Sequence, residues 1–166
     1  MLVPGLLTAE HDVSTFCSGE ASLDQWLRHH ALAAQQRGLS RVFVLHDDDD
    51  PGRRVVAYYT LTAHVLERDD LTRRLGRGLP SQLPAVLLGK LAVDESRQGA
   101  GLGGMVLAEA VGRVAHVADQ VGVRFLVVYA LNERAATFYE RYGFQRVPDR
   151  ESTRLLLRIT PDLLTC

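Results

Sequence analysis

The run from Leu87 to Gly104, LLGKLAVDESRQGAGLGG, constrains the fold more than any other stretch of the chain. An apolar segment leads into a polar turn, Asp94 to Gln98, and glycines at 99, 101, 103 and 104 then open a second apolar segment. This order reads as strand, anion-binding loop, helix. Unpaired main-chain N–H groups at a helix N-terminus carry partial positive charge, so they hold a phosphate without any basic side chain. Glycine lets such a ligand approach the backbone closely.

Periodicity extends the pattern in both directions. Leu107, Val111, Val114, Ala118 and Val121 follow one face of a helix expected to stop at Gly122. Val86–Val93 and Val123–Ala130 read as neighbouring parallel strands joined by that helix, and their near-continuous apolar character predicts burial on both faces. Asn132 is placed to cap a helix running to about Tyr142, stopped by Gly143 and followed by strands at 144–147 and 153–159. Upstream, residues 2–7 read as a strand. Ser22 with Gln25 forms a capping-box pattern for a helix reaching Gly38, with Leu23, Trp26, Leu27, His30 and Ala34 on its inner face. Arg41–His46 and Val55–Val65 pair as a hairpin around the Asp47–Gly52 turn. The expected order is β, α, β, β, α, β, α, β, α, β, β. An α/β fold follows, one mixed sheet with helices on both faces, in a single domain over 1–166.

At 46% hydrophobic and 23% charged residues, with no apolar run approaching about 18 residues, no membrane span is expected. The opening MLVPGLL lacks a basic region followed by a long apolar one, so no secretory signal is read there and a cytoplasmic location is expected. Cys17 and Cys166 are too few for a disulfide framework or a zinc site and are expected to be unpaired thiols. The formal net charge of -1 argues against a broadly basic nucleic-acid surface and leaves room for a local one. His29, His30 and His46 lack a third ligand at supporting spacing, and the acids Asp47 to Asp50 lack the spaced ligands of a calcium loop, so no metal is expected. Arg68, Arg73, Arg74 and Arg77 lie either on a solvated connection or on a basic lip receiving an anionic substrate.

Three glycine-loop chemistries compete for the central stretch. A Walker loop is excluded because Leu91 follows Gly89-Lys90 and position 84 is proline. Gly99 to Gly104 satisfies G-x-G-x-x-G, but Asp94 to Gln98 separates it from the strand and no acid closes the next strand, against a dinucleotide site. The third reading rests on two motifs. Gln98-Gly99-Ala100-Gly101-Leu102-Gly103 resembles the Q/R-x-x-G-x-G/A motif of the GNAT superfamily of acetyl-CoA-dependent N-acetyltransferases. Asn132 to Phe144 resembles its second signature, N-x-x-A-x-x-F-Y-x-x-x-G-F. Phe16, Leu23-Asp24, Trp26-Leu27, Tyr58 to Leu61, Pro84 and Leu91 to Val93 resemble one branch, the acetyltransferase toxins of bacterial toxin-antitoxin pairs.

The resemblance implies a GNAT fold with its central mixed sheet splayed at the cofactor site. It implies that main-chain groups of Leu91 and Val93 meet the pantetheine arm, and that N–H groups of Gln98, Gly99, Gly101, Leu102 and Gly103 hold the pyrophosphate of acetyl-CoA. Asn132 and Ala135 join the cofactor-binding set by the same resemblance, Asn132 also serving as a helix cap. Tyr139 is then the catalytic acid, while its neighbour Phe138 is expected in the core. A phenol of ordinary pKa near 10 can protonate a departing thiolate. No general base stands out; Glu67 or His64 through a water is one option, and the Val93 N–H is available to an oxyanion. A missing base favours an α-amine acceptor, whose pKa of about 7.7–8.0 lies well below the 10.4 of lysine. The branch implies acetylation of the α-amine of aminoacyl-tRNA, inhibition of translation, a ribbon-helix-helix antitoxin and a homodimer. Two alternatives are a GNAT enzyme acting on a small-molecule amine or protein N-terminus, and a non-catalytic acyl-CoA-binding module.

Overall fold

The computed structural model describes residues 1–147 and 153–164 of the 166. Its strands are β1 (Leu2–Leu6), β2 (Arg41–Asp47), β3 (Val55–Glu67), β4 (Gln82–Val93), β5 (Phe125–Ala130), β6 (Gln145–Val147) and β7 (Thr153–Arg158). Its helices are α1 (Ala21–His29), α2 (Ala31–Gln36), α3 (Arg73–Gly76), α4 (Leu102–Ala118) and α5 (Glu133–Arg141). The strands make one seven-stranded mixed sheet in the order β1-β2-β3-β4-β5-β7-β6, the α/β class that the sequence predicts. Two compact units are distinguished, Met1–Thr62 with Gly89–Ala108 and Ala63–Leu88 with Glu109–Cys166. Among the described residues no helix is long and apolar enough to cross a membrane. Cys166 lies outside them.

In the first unit β1 and β2 pair antiparallel from Leu2↔Asp47 to Leu6↔Phe43, and β2 pairs antiparallel with β3 through a bulge at Leu45/His46. Phe16, Leu23, Leu27, Ala31, Val42, Val44, Val55 and Tyr58 form its core. Removing each large side chain from water contributes about 1.5–3 kcal/mol. Phe16 meets Tyr58 edge-on at 5.6 Å, and the Tyr58 hydroxyl donates to the Leu23 carbonyl at 2.8 Å. The expected capping box is not formed: Glu20 is the N-cap, without a side-chain bond, and Ser22 lies inside α1. The helix begins earlier because the Glu20 carbonyl accepts from the N–H groups of Leu23 (3.0 Å) and Asp24 (3.1 Å), and the buried Asp24 carboxylate accepts from the N–H (2.9 Å) and hydroxyl (2.6 Å) of Ser18. His30, at φ -127°, interrupts the single helix that periodicity suggests; it is exposed, and Ala31 takes the core position.

His11 and His46 meet edge-on in this unit, with ring centroids 4.8 Å apart. The Thr8 N–H donates to His11 Nδ1 at 3.0 Å, so the neutral ring carries its proton on Nε2, which faces His46 Nδ1 at 3.2 Å. Burial, then the charge of His46 and of Arg53, pushes His11 below its ordinary value. A histidine whose folded pKa is depressed stabilises the fold above its unfolded pKa of about 6.5 and loses that contribution as pH falls toward the folded value. Thermal stability should therefore decline between about pH 7 and 5, before the carboxylates titrate, and His11→Gln should flatten that decline. Identical slopes for both proteins in thermal melts would refute the assignment.

In the second unit β4 and β5 pair in parallel from Ala85↔Phe125 to Leu88↔Val128. β5 pairs antiparallel with β7, and β7 with β6. Leu66, Leu83, Ala85, Phe125, Val127, Val147 and Leu156 form the core. Burial of β4 on both faces is met only in part: Leu83, Ala85, Leu88 and Ala92 are buried, and the residues between them are half-buried or exposed. α4 stops at Ala118, four residues before Gly122, because Asp119 and Gln120 donate to carbonyls three residues back and tighten the last turn. Val121 is left 63% exposed, and the buried stripe runs through Leu102, Val106, Leu107, Ala110 and Val114.

Candidate active site

The glycine loop belongs to the first unit. β4 ends at Val93, and the chain is turned by Asp94, whose buried carboxylate accepts from Ser96 N–H (3.0 Å), Ser96 hydroxyl (2.6 Å) and Cys17 N–H (3.0 Å). These hydrogen bonds outweigh desolvation and hold the Asp94 pKa below its ordinary value. A single 3-10 turn, Glu95–Arg97, follows, and Gln98 leads into Gly99 and Gly101 at φ +83° and +80°. That conformation is costly for other residues, which is why glycine recurs. α4 then starts at Leu102 with no acidic residue in its first turn, so nothing there offsets the positive end of the helix. Leu91, Val93, Gln98, Gly99, Gly101, Leu102 and Gly103 thus lie on one continuous strand-loop-helix, as the sequence predicts. One residue before Leu91, Lys90 lies over the Trp26 ring at 4.3 Å from its centroid, and burial lowers its pKa.

Asn132, Ala135 and Tyr139 belong to the second unit and share α5. The Asn132 side chain caps the helix, its Oδ1 accepting from the Ala135 N–H at 2.9 Å. Gly143, at φ +91°, ends it. Tyr139 is 6% exposed, against the rings of Phe138 (5.2 Å) and Phe144 (5.5 Å). Burial pushes its phenol well above the ordinary value of about 10, so the proton stays on at neutral pH. Phe138, expected in the core, is only half-buried and packs on Tyr142 at 5.1 Å, while Tyr139 is buried with Ala136 on the inner face. Helix period decides this, since 136 and 139 share a face and 138 does not.

His64, on β3 in the same unit, meets the Tyr129 ring edge-on at 6.3 Å. Burial first, then the charge of Arg154, lowers its pKa, keeping the imidazole neutral. In the arginine-rich segment, Arg68 donates to the Leu79 carbonyl at 2.8 Å, and Arg73 and Arg74 form the first turn of α3, capped by Thr72.

Sequence reasoning missed two features around these groups. Cys17 and Ser18 brace the turn at Asp94, a contact between residues 77 apart in the chain that no local pattern announces. Arg146 on β6 donates to Glu133 (3.0 Å) and Glu140 (2.8 Å), gripping both ends of α5. The Asx-turn spacing Asp94-x-Ser96 was the one visible signal.

Residues 38–146 match the family model described as Acetyltransferase (GNAT) domain. The chain is 40% identical over 145 residues to the tRNA-acetylating toxin of Mycobacterium tuberculosis (strain ATCC 25618 / H37Rv), covering 87% of this chain and 85% of that protein. Among solved structures it is similar to AtaT complexed with acetyl-methionyl-tRNAfMet, at a TM-score of 0.89 and 33% identity over 95% of each chain. It is also similar to a tyrosine-to-phenylalanine mutant of the AtaT toxin bound to the C-terminus of the antitoxin AtaR and acetyl-CoA. There the TM-score is 0.83 and the identity 32%, covering 95% of this chain and 93% of that one.

Proposed function

Because the chain belongs to the GNAT acetyltransferase family, we propose that it transfers the acetyl group of acetyl-CoA to the α-amine of aminoacyl-tRNA and so inhibits translation as a toxin. The observation that carries this reading is the 40% identity, over 87% of the chain, to a tRNA-acetylating toxin. Similarity to AtaT with an acetylated methionyl-tRNA supports it independently.

Acetyl-CoA supplies a thioester carbonyl and a thiolate leaving group. The exposed glycine loop, with two left-handed glycines and a helix whose first turn carries no acidic residue, suits its pyrophosphate. We assign that group to the main-chain N–H groups of Gly99, Gly101, Leu102 and Gly103, together with that of Gln98, which here also donates to the Glu95 carbonyl at 3.3 Å, and the pantetheine arm to Leu91, Val93, Asn132 and Ala135. As the amine nitrogen bonds to the carbonyl carbon, the Val93 N–H stabilises the growing charge on oxygen. The carbon–sulfur bond then breaks, and the Tyr139 phenol gives its proton to sulfur. An α-amine is partly neutral at pH 7, and the proton that the nitrogen sheds passes to water and from it to His64, whose pKa burial lowers, or to Glu67.

The proposal extends to the setting. We read residues 1–166 as one GNAT domain that works as a homodimer in the cytoplasm, where charged tRNA is found, and is silenced by a ribbon-helix-helix antitoxin. Incubating the purified protein with acetyl-CoA and a panel of charged tRNAs tests the activity by mass spectrometry. One acetyl group should appear on the aminoacyl moiety of at least one tRNA. Acetylation of small amines or peptide N-termini with no gain on any charged tRNA would replace this reading.

A further inference from the structure

The glycine loop has almost nothing to rest on. A Cβ built on Gly99 or Gly101 would find no atom within 4 Å, and both residues are exposed. Packing does not hold these two left-handed residues in place, so hydrogen bonds at the loop's edges must set its shape. On the helix side that is the first turn of α4. On the strand side they are the turn at Asp94, with its 3-10 main-chain bonds, and the side chain of Gln98.

We propose that Gln98 is a positioning residue whose side-chain amide ties the carbonyls of Val93 and Ser18 together and thereby holds the glycine loop in its anion-binding shape. Nε2 donates to Val93 O at 2.8 Å and to Ser18 O at 2.9 Å. Both partners are carbonyls and can only accept, so the amide nitrogen, not its oxygen, faces them. Gln98 is exposed, yet both of its side-chain donors are turned back onto the protein.

The two carbonyls it joins are themselves fixed. Ser18 donates twice to the buried carboxylate of Asp24, and its neighbour Cys17 is bonded through N–H to Asp94 and through its carbonyl to the Glu95 N–H at 2.7 Å. The peptide between Val93 and Asp94 is held at both ends, its carbonyl by Gln98 and its N–H by the Val56 carbonyl at 2.9 Å. The segment from Cys17 to Ser18 is therefore a buttress, 80 residues away in the chain, and Gln98 is the strut between it and the loop. Main-chain donors held in place before the ligand arrives lose less freedom on binding.

This inference rests on the acetyl-CoA reading of the loop, and two measurements separate them. Gln98→Met keeps the length of the side chain without its donors, Gln98→Glu puts a carboxylate against two carbonyls, and Gln98→Arg keeps N–H donors at similar reach. Hydrogen exchange of the 94–104 segment in unliganded protein reads the strut alone, and it should be about tenfold faster in Gln98→Met than in wild type or Gln98→Arg. Calorimetry with acetyl-CoA should then show Kd raised about tenfold in Gln98→Met, further in Gln98→Glu, and within about threefold of wild type in Gln98→Arg. At saturating acetyl-CoA kcat should stay within about threefold of wild type, so that the loss is carried by KM. Unchanged exchange in Gln98→Met overturns the strut, and faster exchange with unchanged Kd overturns its role in binding. Wild-type protein that does not bind acetyl-CoA refutes the reading of the loop while leaving the exchange result to decide the strut.

Discussion

Tyr139→Phe should lower kcat by about 10²- to 10⁴-fold while leaving KM for acetyl-CoA nearly unchanged, and cells expressing it should grow where the wild type arrests them. The substitution removes one oxygen from a side chain that is 6% exposed and packed against two aromatic rings, so the fold around α5 is kept. What is lost is a proton held firmly until a strong base forms beside it. Because burial raises the phenol above its ordinary value, the high-pH limb of the wild-type rate profile should not appear below about pH 10. A reduction smaller than tenfold at saturating substrate would remove Tyr139 from the role of acid.

Gly101→Val should weaken acetyl-CoA binding by about 10- to 100-fold, with a far smaller effect on folding. Space is not the obstacle, since no atom lies within 4 Å of the new Cβ. The obstacle is φ at +80°, which a β-branched residue adopts only at a cost of about 1–2 kcal/mol. Rotating the peptides to relieve that strain turns the neighbouring N–H groups away from the anion, and binding suffers most. Strain of this size lowers Tm by only about 2–8 °C in a chain of this length. Calorimetry and a thermal melt on the same sample check both halves; a Kd equal to wild type would mean that the loop geometry is irrelevant to the cofactor.

Much of this architecture was legible because local chemistry and tertiary structure agree. The succession of apolar runs and glycine stops located each strand, Asn132 announced the start of α5, and the glycines of the central loop adopt the conformation that only they take easily. Sequence pattern failed where a main-chain hydrogen bond set the end of a helix, and where residues far apart in the chain meet. The Glu20 carbonyl took the N–H groups of Leu23 and Asp24, so α1 began before Ser22 and Ser22 never became a cap. Asp119 and Gln120 closed α4 one turn early although the apolar spacing continued to Val121. The pairing of Cys17 with Asp94 and of Arg146 with Glu133 joins parts of the chain whose proximity only the folded sheet creates. The motif residues were found by resemblance, whereas the groups that steady them were not.

Arg146 carries a further consequence for α5. Glu133 and Glu140 stand seven residues apart, two helical turns or about 10 Å, and one guanidinium on β6 reaches both. A nine-residue helix is too short to persist by its own propensity, and its ends are where it begins to unwind. With its first residue and its eighth moored to the same planar group, unwinding at either end must break a shared anchorage. Asn132 and Tyr139, each next to one of these two anchors, thus sit on a helix whose ends are both tied to a strand outside the motif.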